Sequence, residues 1–310
     1  MTNASYICVV GAANVDVIGI PDGEFNAGDS NPGTVMVSPG GVGRNIAAII
    51  SKLSYPVKLI TVLGEDAYAQ IIKEACMDAC VDITYTTTVK NARTSAYLCV
   101  NDQNGDARAA VSDMRLCDAL TPHVLQDRLD VMNAAKLLIL DANLPMQSIG
   151  FIALHVKTPI FFDPVSRPKA LKAREWLNRF TLLKPNRMEA ESLLNRTLRT
   201  REDEAAAARD LCLAGVSNVL LSLGSEGAYY DNGLHAGRLM CFPGTVRNTN
   251  GCGDAFSAAA AVGFAMGEGI ETLTKMGLAA AGICAESDKT MPDDLCMGQL
   301  KERMERKQDV

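Results

Sequence analysis

Short apolar runs bounded by turn residues recur along the chain and alternate with longer stretches of helical period. Residues 6–10, Tyr-Ile-Cys-Val-Val, form the first such run and end at Gly11. Residues 57–62, 136–140, 159–162 and 218–221 have the same character and suit buried strands. Between them, 67–79 and 145–156 read as helices, and 255–266 and 278–286 are small, apolar and rich in helix formers. Strands alternating with helices in this way predict an α/β fold with a mostly parallel sheet covered on both faces. Two regions depart from the rhythm. Residues 34–37 alternate weakly, like an edge strand, after the turn Asp29-Ser30-Asn31-Pro32-Gly33. Residues 95–101 and 107–111 flank Asp102-Gln103-Asn104-Gly105-Asp106, a hairpin by its Asn-Gly. No linker, repeat or composition shift marks a second unit, so 1–310 reads as a single domain.

Polar residues gather where these runs end. Asn14 and Asp16 follow the first strand and share a face of the extended chain, at the strand-end position where open α/β sheets bind ligands. An amide beside a carboxylate suits sugar hydroxyls, while an Asx-type turn accounts for the same pair structurally. Asp141 and Asp163 end two further strands, as ligand-facing carboxylates or as turn and cap residues. Gly40, Gly41 and Gly43 precede a helix running to about residue 53, yet they are no dinucleotide fingerprint. Asn45 holds the position of the last glycine, and no acidic ribose partner follows at the right spacing. Asn186 and Glu189 lie one turn apart at a helix start, an arrangement that a capping box explains.

Asn248-Thr249-Asn250-Gly251-Cys252-Gly253-Asp254-Ala255-Phe256 is the stretch richest in chemistry. A glycine turn opening a helix leaves unpaired N–H groups that can seat phosphate oxygens. Asp254 at that point is either a general base or an ordinary helix-start carboxylate. Both readings stand on this stretch alone.

Composition narrows the field. The 310 residues are 48% hydrophobic, enough for a large core. A net charge of −6 gives no basic field for nucleic acid or an anionic membrane. The mixed charges of 301–307 suit a solvated helix face. No apolar run is long enough for a membrane span, and no secretory signal is visible, which points to the cytoplasm. The ten cysteines lack C-x-x-C spacing and read as reduced thiols rather than a zinc site.

Gly40-Gly41-Val42-Gly43-Arg44-Asn45-Ile46-Ala47, with Gly64 after the next strand, resembles the first signature of the ribokinase (PfkB-type) carbohydrate kinase family. Residues 248–261 resemble its second signature, with Asn248 and Cys252 as departures. The resemblance spans essentially the whole chain. It implies a three-layer sandwich with a small β lid contributed by about 24–38 and 94–112. It also implies ATP-dependent phosphorylation of the 5′-hydroxyl of a ribosyl substrate, with ATP and Mg²⁺. Asp254 would be the catalytic base, and the N–H groups of Gly251, Cys252 and Gly253 the anion hole. Asn14, Asp16, Gly40, Gly41 and Asn45, with Asp141, would hold the sugar. Asn186, Ser222, Gly224 and Gly227 would serve the nucleotide, and Glu189, with Asn186, would arrange Mg²⁺ through water.

Gly11–Val17, Asp29–Gly33, Pro39–Ala47, Asp163-Pro164-Val165-Ser166 and Leu183–Ala190 together most resemble members that phosphorylate pseudouridine, and Asp29, Ser30 and Asn31 would read its base. Other ribose or nucleoside kinases are the alternative, and an inactive sugar-binding sensor is the reading from a different class. Family members often bind K⁺ through the first residue of the second signature, where Asn248 lacks the usual charge. An exposed lid edge would favour a homodimer through the lid. Cys252 reads as a small packing residue in place of Ala.

Overall fold

The structure, a computed structural model, describes residues 5–102 and 107–306. Its central sheet is built from β1 (Ile7–Val10), β4 (Val57–Ile60), β9 (Leu137–Asp141), β10 (Ile160–Asp163), β11 (Leu182–Leu183), β12 (Asn218–Ser222), β13 (Ala228–Asp231) and β14 (Ala236–Leu239). Their order across the sheet is β14-β13-β12-β11-β10-β9-β1-β4. Pairing is parallel from β4 to β12, and β13 and β14 close that edge antiparallel. The parallel strands are mostly apolar, with Lys58 and the strand-end polar residues as exceptions, because helices cover both faces. Period-two alternation sorts their side chains. Ile7, Val9, Leu137 and Ile139 enter one core, and Cys8, Val10, Leu138 and Leu140 enter the other. The result is the three-layer α/β sandwich that the alternation of strands and helices implies.

The first core is closed by the helices Val42–Lys52, Cys252–Met266 and Ile270–Ala285. Small residues let them approach closely. Gly277 lies under the Phe256 ring, where an added Cβ would meet ring carbons at 2.7 Å. Ala258, Ala259, Ala260 and Ala261 are fully buried, so the helix that begins at the glycine turn is a core element held on all sides.

A second sheet stands over the strand ends, made of β2 (Asn14–Pro21), β3 (Gly33–Gly40), β7 (Ala96–Asn101) and β8 (Ala107–Asp113), in the order β3-β2-β7-β8. Two short strands, β5 (Val62–Leu63) and β6 (Thr87–Thr88), form a separate pair. The lid differs from the sequence expectation in one respect. Residues 14–21 form its central strand, whereas 24–31 form turns rather than lid structure. Asn14 and Asp16 mask a strand whose pocket-facing side is polar. The expected hairpin is present as β7 and β8, paired antiparallel. Its Asn104-Gly105 turn lies outside the described residues.

Candidate active site

The inner face of the lid and the ends of the central strands enclose a cleft of about 360 Å³. Period two places Asn14, Asp16 and Ile18 of β2 on its wall, beside Tyr97, Cys99 and Asn101 of β7. The parallel register sets Asp16 against Tyr97 and Ile18 against Cys99. Asn14 Nδ2 donates to Asp16 Oδ1 at 2.7 Å. Burial pushes the Asp16 carboxyl above its ordinary pKa, against the pull of Asn14 and of the Arg44 guanidinium.

The first glycine cluster turns the chain from the lid into a helix beneath it. Gly41 caps the Val42–Lys52 helix at φ 96°, where a Cβ would stand 2.6 Å from the Ala12 carbonyl oxygen. A side chain there meets both backbone strain and a clash. Gly40 lies against the Asp16 carboxylate. Arg44 is buried and spends its guanidinium on the Pro39 and Gly40 carbonyls, so it fixes the loop.

The second glycine cluster meets the first here. Gly251 is the left-handed N-cap (φ 78°) of the Cys252–Met266 helix, and a Cβ would lie 2.4 Å from Thr290 O. Asn250, Gly251 and Thr290 line the same cleft as Asn14, Asp16, Gly41 and Asn45. Asn45 Nδ2 donates to Asp254 Oδ2 at 2.8 Å, joining residues 209 positions apart. Asn45 Oδ1 is buried and has no hydrogen-bond partner among the described residues. The Asp254 carboxyl is pushed up to about 7. Burial is the main cause and the Asp163 charge adds to it, while Asn45 and the Lys184 ammonium work the other way.

Lys184 and Asp163 form the floor behind Asp254, and neither stands out in the sequence as a working pair. Lys184 Nζ is buried 3.2 Å from Asp163 Oδ2 and 3.4 Å from the Gly253 carbonyl oxygen. Ser257 Oγ donates to the same Asp163 oxygen at 2.6 Å. Burial opposes the ammonium, yet Asp163, Glu189 and Asp254 together hold its pKa above the ordinary value. The available signal was a lysine directly after the strand Leu182–Leu183, at the ligand-binding end of the sheet.

Asn186 and Glu189 form a complete capping box, with Asn186 Oδ1 accepting Glu189 N–H at 2.9 Å and Glu189 Oε2 accepting Asn186 N–H at 2.8 Å. Burial raises the Glu189 pKa, partly offset by Lys184. Asn186 also bridges to Ser222, whose hydroxyl donates to Pro185 O at 3.3 Å, and Gly224 and Gly227 bound the following tight turn. Among the described residues no three His, Cys, Asp or Glu side chains converge as a metal cage. This donor set fits a cation carried by nucleotide phosphates and water, with Glu189 behind it, rather than one enclosed by protein ligands. Asn248 Oδ1 accepts Asn250 N–H at 2.9 Å.

Other sequence candidates stand apart. Asp141 is fully buried beneath the cleft; Oδ2 accepts Ala12 N–H at 2.7 Å and Oδ1 accepts Asn143 N–H at 2.8 Å. It ties two loops together and presents no free face to a ligand. Asp29 and Ser30 are exposed and Asn31 half-buried in a turn, and none of the three is among the residues that line the cleft. Asn31 closes that turn on itself through Asn26 and Asp29. Cys252 is half-buried, and its thiol is held below its ordinary pKa chiefly by the Cys284 thiol, against burial and Asp254. Asn143 and Lys169, which were not singled out in the sequence, line the cleft together with Val165.

A larger cavity of about 550 Å³ is lined by Arg247, Glu286, Asp288, Glu302, Arg303 and Arg306, among others. These charges pair among themselves, and it includes none of the residues above. No helix among the described residues is long and apolar enough to cross a membrane.

Comparison with known proteins agrees with this geometry. The chain is 35% identical over 260 residues to pseudouridine kinase of Escherichia coli, covering 83% of each chain. It is 28% identical to ribokinase of Arabidopsis thaliana, covering 94% of this chain and 78% of that one. The structure of Arabidopsis thaliana ribokinase complexed with ribose and ATP superimposes with a TM-score of 0.87 at 26% identity, over 98% of this chain and all of that one. Residues 4–294 match the pfkB family carbohydrate kinase description. The chain therefore belongs to the pfkB family of carbohydrate kinases, phosphotransferases that act on an alcohol group.

Proposed function

We propose that this kinase transfers the γ-phosphoryl group of ATP to the 5′-hydroxyl of a ribosyl substrate, pseudouridine foremost. The observation that carries the reading is the 2.8 Å bond from Asn45 to Asp254, which couples the sugar-side motif to the phosphate-side motif. The similarity to pseudouridine kinase favours the nucleoside over the bare sugar. The likeness to ribokinase bound to ribose and ATP keeps ribose as the second reading. Retention of Asp254 argues against an inactive sensor.

In this reading Asn14, Asp16, Gly40, Gly41 and Asn45 hold the ribose hydroxyls and exclude water beneath the lid. Asp254 Oδ accepts the 5′-hydroxyl proton as the new O–P bond forms and the bond to the departing ADP oxygen breaks. A carboxylate with a pKa near 7 is a stronger base than an ordinary one, and about half of it is ionised at neutral pH. The N–H groups of Gly251, Cys252 and Gly253 receive the negative charge on the transferring phosphoryl oxygens. Asn186, Ser222, Gly224 and Gly227 take the nucleotide phosphates. Mg²⁺, when bound with ATP, neutralises phosphate charge, and Glu189 with Asn186 would hold its waters. Asp141 acts from behind the cleft by fixing the Ala12 and Asn143 loops.

The domain works as one unit over 1–310, with the lid as its moving part. Val35 and Val37, on one face of the lid's edge strand, are 69% and 49% exposed, an apolar pair that a second lid would cover in a homodimer.

An ADP-release assay with ATP, Mg²⁺ and a panel of pseudouridine, uridine, adenosine and ribose tests the reading. Turnover with pseudouridine above the other three supports it. Absence of ADP release with every nucleoside and sugar overturns it.

A further inference from the structure

The sugar and phosphate groups use one side of the cleft, and the wall formed by Asn143, Val165 and Lys169 remains unassigned. Lys169 lies on the short helix Arg167–Ala170 and is half-buried. Among the described residues no carboxylate stands within ion-pair distance of its ammonium. Its polar partner is a neutral amide, since Lys169 Nζ donates to Asn143 Oδ1 at 2.6 Å. An ammonium has only donors, so the Asn143 oxygen must be the atom facing it.

Asn143 is itself held from three sides. Its backbone N–H donates to Asp141 Oδ1 at 2.8 Å, and its side chain also bonds that carboxylate. Lys172 Nζ donates to the carbonyls flanking it, Ala142 O at 3.1 Å and Leu144 O at 2.9 Å. A chain thus runs from the buried Asp141 charge through the Asn143 amide to the Lys169 ammonium. The Asp141 carboxyl lies one residue removed from Lys169, and among the described residues the ammonium, at the cleft wall, has no hydrogen-bond partner besides Asn143. Val165, which leads into this helix, sits at φ 65°, a costly conformation for a β-branched residue. Asp163 Oδ1 holds it there by accepting Val165 N–H at 3.0 Å. The backbone that presents Lys169 is therefore fixed by the same Asp163 that anchors Lys184.

A positioned, locally unneutralised donor in a substrate cleft calls for a strong acceptor. Ribose hydroxyls already have Asn14, Asp16 and Asn45. We infer that Lys169, oriented by Asn143 and Asp141, is the specificity residue that donates to a carbonyl oxygen of the substrate's base. It favours nucleosides with a uracil-type, carbonyl-bearing base over the bare sugar and over bases that lack a carbonyl. This inference rests on the ribosyl-kinase reading above and assigns the part of the substrate beyond the sugar.

The test compares kcat/KM for pseudouridine and for ribose in the wild type, K169M and K169R. Methionine keeps the length of the side chain and removes the donor. The pseudouridine-to-ribose ratio should fall by about 10- to 100-fold in K169M, the usual weight of a hydrogen bond to a charged group. The loss should appear mainly in KM for pseudouridine, and K169R should recover most of it. An unchanged ratio in K169M, or equal losses on both substrates, overturns the inference and leaves the kinase reading standing. Wild-type turnover of ribose without pseudouridine does the same. A wild-type enzyme that turns over neither overturns the ribosyl-kinase reading, and this inference with it.

Discussion

The Lys184 ammonium bridges the Asp163 carboxylate, 3.2 Å away, and the Gly253 carbonyl, 3.4 Å away, at the first turn of the helix that carries Asp254. It supplies the positive charge that keeps Asp254 from rising further above its ordinary pKa. Replacing it with methionine should move the acidic limb of the pH–rate profile upward from near 7 and lower turnover at neutral pH. Breaking a buried ion pair also costs about 3–5 kcal/mol, so the variant should melt earlier. The profile separates the two effects, because lost stability alone leaves its midpoint in place.

Asp254 itself gives a paired prediction. D254N should lower kcat by about 10²–10⁴ with the fold intact. In the wild type the rate should rise with pH through about 7 as the carboxylate forms. Stability should follow the opposite trend. A carboxyl whose folded pKa is raised contributes fully below its unfolded pKa, and that contribution is lost as pH rises through about 7. D254N should therefore gain Tm relative to wild type at pH 8 and little at pH 4. Equal Tm differences at both pH values would show that Asp254 ionises without penalty.

Cys252 offers a chemical probe of the glycine turn. Its half-buried thiol has a lowered pKa and sits in the turn whose N–H groups are assigned to the phosphoryl oxygens. Alkylation should abolish turnover, and bound ATP should slow it. C252A should remain active and resist the reagent. Complete alkylation of Cys252, verified by mass spectrometry, with unchanged turnover would remove the phosphate from this turn.

Much of this was legible in the sequence because it is written locally. The period of two in Ile7–Val10 and Leu137–Asp141 gives the two cores. The spacing of Asn186 and Glu189 gives the capping box, whatever else the pair does. Glycines 41 and 251 mark the two sharp turns into helices. What stayed hidden depends on contacts between distant segments. Lys184 reads as one lysine after a strand until the fold brings Asp163 and Gly253 to it. Asp141 reads as a ligand-facing carboxylate until Ala12 and Asn143 are seen to occupy it. Asn31 has the chemistry to read a base, but its amide is spent on closing its own turn. Asn14–Pro21 was obscured because one face of a lid strand must be polar to meet a sugar.

The lid makes a prediction about assembly. Val35 and Val37 lie on the same face of the edge strand Gly33–Gly40, both strongly exposed. If they meet a second lid, the double substitution V35K/V37K should convert a dimer to a monomer in light scattering and leave the melting temperature of the protomer within a few degrees. A wild-type protein that is monomeric at micromolar concentration would contradict lid pairing.

Phosphoryl transfer to the ribosyl 5′-oxygen, with Asp254 as the base, is tested most directly by the product. Pseudouridine, ATP and Mg²⁺ are incubated with wild type and D254N, and the nucleoside fraction is followed by phosphorus NMR with proton coupling. The wild type should yield a monophosphate whose phosphorus couples to the two 5′ protons, and D254N should form it at least about a hundredfold more slowly. A phosphate at another hydroxyl, ATP hydrolysis without a phosphorylated nucleoside, or D254N matching wild type would contradict the account.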